Sequence, residues 1–186
     1  MRKKQKFLVA LGEDSISMEV VKYLGQIVPG KPNLAVCLFH MLPPPPPQLR
    51  EFRGAEDPYV EEELDREIDI KLEDWTRDGE AAAQPLFEKA KSILTRAGVS
   101  ESSIRCISWQ LLNHRDFVND TLKAAEENAC QTIVVGRSQF SRLKEAFHDH
   151  LADELVTKAA GFTIWVVSPN QPDQTESNRS SVESAA

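Results

Sequence analysis

The residues best suited to chemistry in this chain crowd around one glycine. Gln131–Gly136 reads QTIVVG, a short apolar strand that stops at Gly136, and Arg137, Ser138, Ser141 and Arg142 follow directly. Two guanidiniums and two hydroxyls ahead of a helix are a set that holds sulfate, phosphate or a nucleotide fragment. Amides at a helix start and planar guanidinium forks both match anionic oxygens. The same residues also suit a strand-end turn flanked by surface arginines, and their spacing leaves both readings open.

A second group, His148, Asp149 and His150, suggests a metal or proton-transfer cluster. On a helix the two histidines point about 200° apart, so they do not meet one ion. His150 with Glu154 shares a face but supplies two ligands, which is a poor metal site. The expectation is a solvated helix face and no metal. His40 sits near a strand end and His114 in a loop, and neither has a carboxylate or nucleophile partner in view. His40 is the better placed to line a cleft, or else to pack or cap there. The chain contains no G-x-S-x-G elbow, no Walker A sequence and no H-E-x-x-H. With no general base beside a nucleophile, no catalytic residue is assigned and the reading is non-enzymatic.

The elements that must position these residues are legible from periodicity. Phe7–Leu11 is a buried strand, followed by turn formers and a helix from about Ser17 in which Val20, Val21, Leu24, Ile27 and Val28 recur at helical spacing. Leu34–Leu42 is nearly all apolar, as a strand covered on both faces would be. Pro43–Pro47 favours a stiff polyproline spacer. Glu56–Asp74 carries ten acidic and two basic residues. Val60, Leu64, Ile68, Leu72 and Trp75 nevertheless form one apolar stripe along it. Gly79 and Pro85 predict a break before a further helix that runs to Ala97, capped by Gly98. A strand at about 103–109, a helix at about 117–129, the Thr132–Val135 strand, a helix from about Ser141 and a strand at Phe162–Val167 complete the pattern. Leu143, Phe147, Leu151, Leu155 and Val156 are expected on one side of that last helix. The fold class expected is α/β: an open five-stranded parallel sheet with helices on both faces. One domain spans about 5–168 with a proline-rich and acidic insertion at about 43–85, and a disordered tail is expected at 169–186.

Composition narrows the function classes. The 22 basic and 29 acidic residues give a formal net charge of −7, which argues against nucleic acid as partner. No apolar run reaches the roughly 18–20 residues that span a bilayer, and no signal peptide is read. Cys37, Cys106 and Cys130 lack a CxxC spacing, as expected of reduced, packed thiols in a cytoplasm.

Four stretches, FLVALGEDSISMEVVKYL, LAVCLFHMLPPP, DFVNDTLKAAEENACQTIVVG and SRLKEAFHDHLADELVTKAAGFTIWVV, resemble the universal stress protein family in order and spacing. The resemblance runs from Phe7 to Val167 and implies a Rossmann-like sheet of strand order 3-2-1-4-5, as in the adenine nucleotide alpha-hydrolase-like folds. ATP-binding members carry G-x2-G-x9-G-[ST] after the fourth strand. Here Gly136 matches the first glycine, Gln139 replaces the second, and Asp149 and His150 replace the final pair. Gln139 lacks glycine's backbone freedom, and the Asp149 carboxylate would repel phosphate unless a cation intervened. Gly12 stands where those relatives commonly have an aspartate for the adenosine moiety. The resemblance therefore implies a stress-associated domain that does not bind ATP in the usual pose and needs no cofactor. The alternative is ATP with magnesium, bound or slowly hydrolysed through a modified loop. It also implies a homodimer through the last strand, with Phe162, Ile164, Trp165, Val166 and Val167 at the interface of an otherwise open hydrophobic edge.

Overall fold

The computed structural model describes residues 5–12, 15–28, 33–50, 58–110, 117–137 and 151–168. Five strands and five helices are described: β1 (Gln5–Leu11), α1 (Ser15–Ile27), β2 (Leu34–Leu42), α2 (Pro47–Arg50), α3 (Pro58–Arg96), β3 (Ile104–Gln110), α4 (Phe117–Glu127), β4 (Thr132–Gly136), α5 (Leu151–Lys158) and β5 (Thr163–Val167). The strands form one parallel sheet in the order β3-β2-β1-β4-β5. This is the expected α/β sheet and strand order.

Strand alternation divides the core in two. Phe7, Val9 and Leu11 of β1 and Val36, Leu38 and Leu42 of β2 meet α1 and α3 on one face. Leu8, Ala10, Cys37 and Phe39 meet α4 and α5 on the other. Because both faces are covered, these strands need continuous apolar runs rather than half-polar alternation. α1 turns Val20, Val21 and Leu24 inward. Gly25 lets it approach the end of α3, where an added Cβ would lie 2.8 Å from the Ala97 Cβ.

The expected break at Gly79 and Pro85 is absent: α3 is one helix of 39 residues. Pro85 removes one backbone donor, but its ring is on the exposed side. Ala83, Phe87, Ala90 and Leu94, on both sides of it, are buried against the sheet and hold the helix together across the lost bond. Gly79 passes the side chain of Leu42, at the end of β2, within 3.5 Å of an added Cβ. Thr76 Oγ1 lies 3.3 Å from Gln110 Oε1, at the end of β3. The helix therefore continues past the carboxyl edge of the sheet by about 30 Å, at 1.5 Å per residue over its first turns. That projecting half is held by surface ion pairs such as Arg66–Glu62 and Lys71–Glu67. Gly98, at φ 89°, closes α3 with the Val99 N–H donating to the Leu94 carbonyl at 3.0 Å. Ala129 makes the equivalent turn after α4 at φ 51°, with the Cys130 N–H donating to the Ala125 carbonyl.

In α5, Leu155 is buried while Val156 is 59% exposed, so the two do not share the inward side as expected. They are neighbours about 100° apart, and only one can face the sheet. Residues 141–150, expected to begin this helix, and the expected tail at 169–186 lie outside the described residues.

Candidate functional site at the carboxyl edge of the sheet

In the observed order, β1 leads through α1 to β2 on one side, and β4 leads through α5 to β5 on the other. The chain thus departs in opposite directions from two adjacent strands. This switch point opens a crevice outside their carboxyl ends, where open α/β sheets bind ligands. β1 and β4 pair with Val9 opposite Val134, and continuing that register brings Leu11 level with Gly136. Gly12 lies one residue beyond Leu11, diagonal to Gly136, and both glycines are buried at the strand ends.

The peptide group between Leu11 and Gly12 is held at both ends. The Gly12 N–H donates to Ser17 Oγ at 2.7 Å, across the turn into α1. The Leu11 carbonyl accepts from His40 Nδ1 at 2.9 Å, across from β2. Ser17 is fully buried and His40 is 7% exposed, so neither bond competes with bulk water. The edge of the His40 ring stands on Phe87 of α3, with centroids 6.3 Å apart. His40 is therefore a packed, bonded histidine beside the crevice. Ser17 was not among the residues the sequence singled out. Its one sequence signal is a hydroxyl soon after a strand end, which helix starts supply routinely.

On the other bank, the Arg137 N–H donates to the Val167 carbonyl at 2.9 Å, carrying the β4–β5 pairing one residue beyond Gly136. The Arg137 side chain is exposed beside it. Ser138, Gln139, Ser141, Arg142, Asp149 and His150 lie outside the described residues. Farther along the edge, Gln110 Nε2 donates to the Pro43 carbonyl at 2.7 Å and ties the exits of β2 and β3 together.

Two other features lie away from the crevice. An open groove of about 650 Å³ runs between α1 and β5, lined by Glu19, Lys22, Tyr23, Ile27, Trp165 and Val166 among others. It flanks the strand expected at a dimer interface. Phe162 and Ile164 pack toward α4 and α5, while Trp165 and Val167 face the other layer. Trp165 leans on Phe7 within its own chain at 5.3 Å, and Val166 is 39% exposed. The second feature is a thiol pair. Cys37 and Cys130, distant in sequence, are neighbouring thiols in the α4–α5 layer, and Cys130 Sγ donates to the Asn128 carbonyl at 3.9 Å. The adjoining Cys130 thiol pulls the Cys37 thiol down to about 7 against the effect of burial, with Lys6 and Arg105 adding to the pull. Cys130 is pushed up by the neighbouring Cys37 and by burial. Among the described residues no group of three His, Cys, Asp or Glu side chains could hold a metal ion, and no helix is long and apolar enough to cross a membrane.

The fold and the crevice define a Rossmann-like α/β domain of the open, switch-point kind. No protein-family model matches the chain, and no curated protein is similar to it in sequence. Solved structures are more informative. The chain superposes on a protein from the universal stress protein family of Burkholderia pseudomallei at a TM-score of 0.53 and 14% identity, over 90% of this chain and 98% of that one. It also superposes on a universal stress protein in complex with cAMP, at 0.54 and 13% identity, over 90% and 99%. A hypothetical protein whose biochemical function was assigned from its structure matches at 0.56 and 18%, over 91% and 99%. The chain has the universal stress protein fold.

Proposed function

We propose that this chain is a divergent, non-catalytic universal stress protein that binds an adenine nucleotide at the carboxyl edge of β1 and β4, in a pose adapted to its altered loop. The observation that carries the reading is the switch point between β1 and β4, whose adjacent carboxyl ends run out in the buried glycines Gly12 and Gly136. A protein of the same fold is described in complex with cAMP, which supports an adenine nucleotide over other anions. By sequence, Gln139 and Asp149 replace glycines of the phosphate loop, so the reading calls on the cations of Arg137 and Arg142, together with magnesium, to make up for lost amide contacts. This reading takes the place of a nucleotide-free domain as the first choice. The test is calorimetry on nucleotide-free protein with ATP, with and without magnesium, and with cAMP. Micromolar binding of one nucleotide per chain is expected. No binding up to millimolar concentrations of either refutes the reading.

A second reading is a dimeric scaffold without a nucleotide. It is favoured by β5, which ends the sheet and exposes Val166 beside the α1 groove. Unpaired strand edges invite a second copy or another partner. Sedimentation of the full chain and of Val166→Lys separates the cases: the wild type is expected as a homodimer and the variant as a monomer. A wild-type monomer across micromolar concentrations refutes the dimer.

A further inference from the structure

The peptide group joining Leu11 to Gly12 has both of its polar atoms taken by buried side chains from two different elements. A strand end facing solvent normally satisfies such groups with water, and the peptide plane is then free to rotate. Here rotation breaks two hydrogen bonds at once, in an environment where an unmade bond is costly. The two side chains also come from the walls of the crevice: Ser17 from α1 and His40 from β2. Gly12 has no side chain of its own through which packing could fix it, so its position depends on what its neighbours hold.

We infer that Ser17 and His40 are positioning residues for the nucleotide crevice, acting together as a clamp on the Leu11–Gly12 peptide; the inference rests on the nucleotide-binding reading above. Neither residue need touch the ligand. Ser17 Oγ accepts from the Gly12 N–H, and the His40 Nδ1–H donates to the Leu11 carbonyl, so the imidazole is the tautomer protonated at Nδ1 or is the cation. Phe87 holds the ring in the orientation that makes this bond. With the peptide fixed, the crevice floor beside Gly136 is set before a ligand arrives, and binding does not have to order it.

The experiment measures ATP–magnesium and cAMP affinity of the full chain alongside its unfolding midpoint, for wild type, Ser17→Ala, His40→Leu and His40→Asn. The asparagine amide offers a donor where Nδ1 was, so it restores the bond without the ring. Ser17→Ala and His40→Leu are expected to weaken binding about tenfold each, the size of one lost hydrogen bond to a buried group. His40→Asn is expected to recover most of the affinity even though it loses the contact with Phe87 and therefore melts lower than wild type. Amide hydrogen exchange gives a readout free of ligand: Gly12 is expected to be protected in the wild type and to exchange quickly in Ser17→Ala. If affinity simply follows the unfolding midpoint across the variants, or if Ser17→Ala and His40→Leu bind as tightly as wild type, the clamp is overturned while the nucleotide reading stands. If the wild type binds neither nucleotide, the proposed function fails and the clamp's role with it.

Discussion

Replacing Gly25 by alanine tests the close approach of α1 to the end of α3. An ideal Cβ at position 25 lies 2.8 Å from the Ala97 Cβ, well inside the 3.5–4.0 Å at which two carbons rest in contact. The obstacle is a methyl fixed to the backbone just after α3, so it has no rotamer through which to withdraw. Relief requires α1 and α3 to separate, which also disturbs Leu24 and Leu94, both fully buried. Overpacking of this kind costs about 1–3 kcal/mol. Against it stands the gain of about 0.5–1 kcal/mol for exchanging glycine for alanine inside a helix. The net expectation is a loss of up to about 2.5 kcal/mol, or a fall of up to about 10 °C in midpoint for a chain of this size. Urea unfolding should show the change in the midpoint with the slope preserved. Combining Gly25→Ala with Ala97→Gly removes the opposing methyl, and the pair should be less harmful than the sum of the singles by at least 0.5 kcal/mol. An alanine variant more stable than wild type would mean that helix propensity alone governs the site and that the two helices do not meet there.

Four further outcomes follow from contacts described above. The Cys37 thiol, depressed from 9.0 to about 7, adds stability that is complete above pH 9 and is lost as pH falls through about 7. Cys130, raised, works in the opposite direction above pH 9, so stability is expected to peak near there. Cys130→Ala removes the leading cause, leaves burial opposed only by Lys6 and Arg105, and should shrink the gain; thiolate absorbance against pH reads it directly. Trp165→Ala should cost about 3–5 kcal/mol if the contact with Phe7 holds β5 to the sheet, and markedly less if Trp165 serves chiefly between chains, as chemical unfolding of the monomeric variant would show. Leu155→Ala should lose about 2–5 kcal/mol, whereas Val156→Ala on the exposed side of the same turn should change the midpoint by less than about 0.5 kcal/mol. Ala129→Gly should stabilise by up to about 1 kcal/mol, because glycine accepts a φ of 51° without strain on Cβ; a lower midpoint would contradict that turn.

The strands were legible because most are short runs of apolar residues separated by helical patterns, whereas their order was implied only by the resemblance to the universal stress protein family. The path of α3 was not legible. Gly79 and Pro85 are correct local signals for a break, and they lose to Ala83, Phe87, Ala90 and Leu94, whose burial depends on a sheet no local window contains. The crevice was readable as a location, through Gly136, Gly12 and His40. The clamp within it was not, since Ser17 becomes informative only when the turn from β1 brings its hydroxyl to the Gly12 amide. The Cys37–Cys130 contact was hidden for the same reason: a spacing of this length says nothing until the fold closes it. In Phe162–Val167 the apolar run Ile164–Val167 concealed an alternation that sends Trp165 and Ile164 to opposite layers.

Pro85 also marks where α3 changes its dependence on the rest of the molecule. Toward its end the helix is part of the core, and inserting or deleting one residue there would rotate Phe87, Ala90 and Leu94 away from the sheet. Well before Pro85, ahead of Thr76 and beyond the ends of β2 and β3, no residue of α3 is buried among those described. Turns can therefore be added or removed in that stretch without disturbing strand register, since exposed segments tolerate changes of length that packed ones do not. In this helix the arm ahead of Thr76 is where length is free to change, and the part that follows is where length is fixed.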